Sequence, residues 1–289
     1  MKPILYSVIS CLFFFSCNKD RIAPDGFVSM DDFYERHKAE EQIFVIETDE
    51  EDCITGEKGT VVCPVRNDLT LNGDDVELPY NLHLTELYGA GDFILNRMPS
   101  IYTGGAVLHS PAMIDVATYK DEAGLALRND RSMYVRLSSG GQPDDLTVFQ
   151  TGQSGNEFDG WQDVSAFSEA IQIEGGFYEM LLANQTWSTA AAIRNETTTT
   201  VQFEIEASGT EHIQLYAIVS DYEGVIRGHD LAIEQVPLGT EIDIIAFAYD
   251  SDNQYQLYYT NRTLDGGATI ELNFNVVSEE ELLNFINGL

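Results

Sequence analysis

Four cysteines carry the most legible chemistry in this 289-residue chain: Cys11, Cys17, Cys53 and Cys63. Cys53 and Cys63 have nine residues between them and flank a turn built around Gly56 and Gly59, so their oxidation would close a short hairpin. In an oxidising compartment such a link contributes about 2–3 kcal/mol by the loop-entropy argument. Two reduced, buried thiols are the alternative. A catalytic thiolate is disfavoured, because Glu50, Glu51 and Asp52 crowd the site and Lys58 is the only lysine close in sequence. The five histidines (His37, His83, His109, His212 and His229) form neither a His-x-x-x-His nor a His-Glu-x-x-His spacing, so no zinc site is expected. Asp250-Ser251-Asp252-Asn253 opens like a calcium loop but lacks the glycine at the sixth position and the glutamate at the twelfth. That stretch, Asp49 to Asp52, Asp74-Asp75 and Asp144-Asp145 read as solvated loop acids. Gln153-Ser154-Gly155 falls short of a nucleophile elbow. With 48 acids in the chain, any carboxylate pair can be drawn, so a glycosidase pattern has no diagnostic force. The expectation is a non-enzyme without metal or cofactor. Aromatics crowd Tyr249, Tyr255, Tyr258 and Tyr259. They pack between strands and helix, or else Tyr255 and Tyr258 form a stacking platform for a sugar or peptide.

The remaining cysteines sit in a segment that reads as an address. Lys2 supplies a positive start, and Ile4 to Phe15 is an apolar run of signal-peptide length, too short for a comfortable membrane span. It gives way at once to Asn18-Lys19-Asp20-Arg21. Its end, Phe14-Phe15-Ser16-Cys17, resembles the lipobox of bacterial lipoproteins, with Phe14 where leucine is usual and Phe15 where a smaller residue is usual. Loosened boxes of this kind are typical of the Bacteroidetes. The resemblance implies cleavage between Ser16 and Cys17 and diacylglycerol on the Cys17 sulfur. Each buried lipid methylene is worth about 0.8 kcal/mol, so two or three acyl chains hold where one would not. Asn18, rather than aspartate, after the cysteine favours the outer membrane. Lys19-Asp20 matches only in part the tag of surface-displayed lipoproteins, which leaves the leaflet open.

Charge narrows the partners. Fifteen basic residues against 48 acidic ones give a formal net charge of -33, which excludes a nucleic-acid or polybasic lipid-binding role. Hydrophobic residues form 44% of the chain, enough for a real core.

Several elements are predicted to position these groups. Residues 17–42 form the lipidated tether and a short helix from Met30 to Gln42. An N-terminal β domain spans 43–165, with strands at Ile43–Ile46, Thr60–Val62, Leu82–Tyr88, Ile114–Tyr119, Ser132–Leu137 and Leu146–Gln150. A boundary is placed at 165–175, and a C-terminal β sandwich spans 170–289. There Gln202, Glu204 and Glu206 alternate with Phe203, Ile205 and Ala207, as on a strand with one wet face. Ser278 and Glu281 fit a capping box that opens a terminal helix. The fold class is all-β: two sandwich-like domains in tandem with a short helix at each end.

One set of motifs is more specific. Gly56-Glu57-Lys58-Gly59-Thr60, Val61-Val62-Cys63-Pro64, Glu86-Leu87-Tyr88, Asp92-Phe93-Ile94-Leu95 and Thr103-Gly104-Gly105 together resemble a β module of Bacteroidetes lipoproteins, similar to the sandwich shared by ankyrins and netrin receptors. Cys63 stands where that pattern usually has an aliphatic residue. The resemblance implies a structural, adhesive or protein-contact role in the cell envelope, with an envelope protein as partner. A glycan-binding accessory lipoprotein of a nutrient-uptake system is the second reading.

Overall fold

The structure, a computed structural model, describes residues 29–48, 53–138, 146–151, 158, 160–166, 169–173, 176–205, 211–222, 224–250 and 252–289. The chain is all-β, with three short helices among the described residues: α1 (Met30–His37), α2 (Ala90–Leu95) and α3 (Glu279–Asn287).

Period-two burial builds the first half. In strand Tyr80–Leu87, Tyr80, Leu82 and Leu84 are buried while Asn81, His83 and Thr85 are less so. This strand lies in a sheet ordered Gln42–Ile46, Tyr80–Leu87, Met113–Lys120, Ser188–Arg194, Thr147–Thr151, Trp161–Asp163. A second sheet is ordered Glu169–Ile173, Phe177–Leu182, Met133–Ser138, Val61–Cys63, Ile54–Thr55. Leu82, Leu84, Ile114 and Val116 from the first pack with Val62, Val135, Leu137 and Met180 from the second. Each such fully buried side chain contributes about 1.5–3 kcal/mol.

The second half repeats the plan. Gly224–Arg227, Glu211–Val219, Glu241–Tyr249, Tyr255–Thr263 and Asn275–Val277 form one sheet; Ala232–Pro237, Thr198–Glu204 and Ala268–Glu271 form the other. Strand Glu241–Tyr249 is buried on both faces, which accounts for its nearly unbroken apolar run. Ile242, Ile244 and Ala246 meet Val201, Phe203 and Ile233 in one core. Ile245, Phe247 and Tyr249 point the other way, into a further core shared with all three helices and with Phe149, Trp161 and Ala191 of the first half. The helices thus pack in a core fed by both β halves.

Three expectations change. The boundary at 165–175 falls inside a sheet: Glu169–Ile173 pairs with Phe177–Leu182, which pairs with Met133–Ser138. The change of sheet comes after Arg194, so the first half runs to 194 rather than 165. The strands on either side of the turn-rich composition near 151–160, Thr147–Thr151 and Trp161–Asp163, pair with each other, and pairing partner is a non-local property that composition does not encode. Nor do the halves have wholly separate cores. Finally, α1 stops at His37, because Lys38 takes an extended conformation and the next strand begins at Gln42.

Candidate functional site

The motif residues converge on one carboxylate. Glu86 is 2% exposed. Its carboxylate accepts hydrogen bonds from the backbone N–H groups of Lys58 (3.0 Å) and Thr60 (2.9 Å) and from Gln42 Nε2 (2.8 Å). Burial alone would raise its pKa; the bonds from Gln42, Lys58 and Thr60 outweigh that and leave the group below its ordinary range. Gly56 is needed here, since a Cβ on it would lie 2.3 Å from Glu86 Oε2. Asp92 completes the joint: it accepts from the Tyr88 N–H (2.6 Å) and pairs with Lys58, while Tyr88 Oη bonds Thr60 Oγ1 (2.9 Å). Cys53 and Cys63 form a disulfide across the same hairpin, with Cα atoms 4.1 Å apart. These bonds latch the 54–63 hairpin onto strand Tyr80–Leu87.

Ser16 and Cys17 lie outside the described residues, as do Asp49 to Asp52, Asp144-Asp145 and Gln153-Ser154-Gly155. The Tyr255–Tyr258 platform is not formed. Tyr255 is 7% exposed, its ring 4.4 Å from Tyr249 and 5.5 Å from Phe33, and its hydroxyl accepts from Arg36 Nη2 (3.2 Å). Tyr258, on the other face of the strand, packs against the second β core. Strand alternation separates the pair, and the helix layer covers Tyr255. Asp250 accepts from the N–H groups of Asp252 and Gln254, both at 2.9 Å, so its carboxylate closes a hairpin turn. Among the described residues no group of three or more His, Cys, Asp or Glu is placed to hold a metal ion.

Two surface features remain. At one edge of the first sheet, strand Gln42–Ile46 leaves Ile43 57% and Val45 58% exposed. A groove of ≈ 330 Å³ runs from this strand to Thr55 and Glu57 on the edge of the facing sheet, with Glu40 and Glu41 on its rim. Glu41 pairs with His83 Nδ1 at 2.8 Å.

The second feature is a cleft of ≈ 510 Å³ at the seam of the two halves. The first half contributes Tyr102, Thr103, Gly105, Phe158 and Gly160; the second contributes Arg227, His229, Asp230, Glu234 and Gln235. Its aromatic side is braced from behind: the Tyr102 ring meets Phe149 edge-on at 5.7 Å, Phe158 meets Trp161 at 5.7 Å, and Trp161 Nε1 donates to the Pro99 carbonyl at 2.8 Å. Its polar side sits on left-handed backbone. His229 and Ala232 exchange two hydrogen bonds of 2.8 Å around Asp230 (φ 48°) and Leu231 (φ 58°), a two-residue hairpin turn. Gln235 also has positive φ, 62°. The sequence reading missed this cleft, because its residues come from three separated segments, 99–105, 158–160 and 226–235. The run His229-Asp230-Leu231-Ala232 carries no Asn-Gly or Asp-Gly signal for its turn.

No family model matches the chain, and no curated protein does. Among solved structures it is similar to the Gamma-CGTASE from Alkalophilic bacillus clarkii, at 7% identity and a TM-score of 0.20. The match covers 82% of this chain and 42% of that one, and likeness at this level carries no argument about function.

Proposed function

We propose that this chain is a lipid-anchored protein of the cell envelope, held in the outer membrane through Cys17, which works by contact with another envelope protein rather than by catalysis. The observation that carries the reading is the Gln42–Ile46 edge, where Ile43 and Val45 stay exposed and Ile43 lines a groove with Glu40, Glu41 and Glu57. Sheet edges are natural templates for an added strand unless they are blunted. An extended segment that alternates apolar residues with Lys or Arg fits this edge, because Glu40, Glu41 and Glu57 supply the opposing charge.

The test is photo-cross-linking in cells with the full chain, placing the reactive side chain at position 43 or 45. One recurrent adduct from these sites, absent from a control site at exposed Tyr259, supports the reading. Equal, non-specific adducts from all three sites reject the contact surface. In parallel, Cys17→Ser should leave the membrane fraction and lose lipid labelling; a variant that stays membrane-bound rejects the anchor.

A further inference from the structure

We infer that the seam cleft is a saccharide-binding site for a neutral oligosaccharide of about two or three sugar rings, a size suited to its ≈ 510 Å³ volume. A sugar ring has an apolar C–H face and a rim of hydroxyls that both donate and accept. The cleft offers the complement of each. Tyr102 and Phe158 give π faces, kept in place by Phe149 and Trp161. Asp230, Glu234, Gln235 and Arg227 give planar groups that can engage neighbouring hydroxyls two at a time.

Backbone geometry sets the polar wall. Asp230 (φ 48°) and Leu231 (φ 58°) are the central residues of the hairpin turn, where positive φ is the ordinary conformation, and the turn places Asp230 in the cleft. Gln235 (φ 62°) reaches the same wall at the irregular pairing of strand Ala232–Pro237 with Thr198–Glu204. A kinked edge is a poor template for peptide strand addition. The Gln235 side chain reaches across the seam to Gly105, where a Cβ would lie 2.6 Å from Gln235 Nε2. The chain's net charge of -33, with two carboxylates in this wall, disfavours phosphorylated or acidic sugars. This site is separate from the Gln42–Ile46 edge and does not depend on the contact reading.

The test is titration of the full chain with maltotriose, cellotriose, xylotriose, mannotriose and chitotriose, followed by calorimetry and by fluorescence of Trp161 behind Phe158. At least one sugar should bind saturably. The exposed-residue variants Asp230→Asn and Glu234→Gln, which leave the core untouched, should each weaken it at least tenfold with an unchanged melting temperature. Tyr102→Ala should abolish binding, and Tyr102→Phe should retain it. No binding by any of the five sugars, or binding that the Asp230 and Glu234 variants leave unchanged, overturns the assignment.

Discussion

A buried carboxylate ties this molecule's stability to pH. Glu86 has a folded-state pKa below its ordinary 4.5. Its bonds therefore stabilise the fold fully above that pH, and the contribution is lost as pH falls through the lowered folded value. Glu86→Gln should cost about 1–3 kcal/mol at pH 7, because its NH₂ must face either the Thr60 N–H on the Oε1 side or Gln42 Nε2 and the Lys58 N–H on the Oε2 side. Its loss should shrink on acidification, which urea melts at pH 7 and pH 3.5 would read. His109 behaves in the opposite chemical sense but with the same pH direction. Burial and the neighbouring Arg194 guanidinium, 2.8 Å from Nδ1, hold its pKa at about 4, against 6.5 when free. Between those values the unfolded chain takes up the proton first, so stability falls as pH drops from 6.5 to about 4. NMR should find the ring neutral at pH 5.5; a protonated ring there contradicts the geometry. The Glu86 latch was half legible in sequence: Gly56, Lys58, Gly59, Thr60, Glu86, Tyr88 and Asp92 all stood out as motif residues. Their mutual bonds did not, since they join segments about thirty residues apart.

Local signals gave the elements well where one face was wet and poorly where none was. The capping box at Ser278 is present, with Glu281 N donating to Ser278 Oγ at 3.2 Å and Ser278 N to Glu281 Oε2 at 2.7 Å. Ser278→Ala should cost about 1 kcal/mol by thermal melt. Helix α2 went unread, as six residues give too little periodicity and its dominant feature is tertiary. A Cβ on Gly91 would sit 2.3 Å from the backbone carbonyl oxygen of Ile286 in α3. Gly91→Ala should thus displace α3 and lower the melting temperature by more than Ser278→Ala does. Equal or smaller loss would mean the two helices are not in backbone contact. Reduction of Cys53–Cys63 should remove about 2–3 kcal/mol if loop closure is its main effect.

At the scale of the whole molecule, the all-β class and both terminal helices follow from patterning, whereas the domain map does not. Sheet membership depends on which distant strand a segment finds, so Glu169–Ile173 joined the first half despite the turn-rich residues before it. Because Tyr216, Ile245 and Phe247 share one core with Phe33, Phe93 and Phe149, residues 29–194 expressed alone would expose a large apolar face. That fragment should aggregate or bind a hydrophobic dye, and a monodisperse, dye-silent fragment would show the halves to be independent. The proposed basic partner at the Gln42–Ile46 edge predicts a cross-linked yield at position 43 or 45 that falls with added salt.

Helix α1 is the first described element of the chain, and its Phe33 is wholly enclosed between Phe247 and Tyr255. Any tension arriving from the N-terminal side is therefore delivered to the keystone of the arch instead of to a peripheral strand. Under a pulling force the joint between the halves should open first, with both sandwiches still intact.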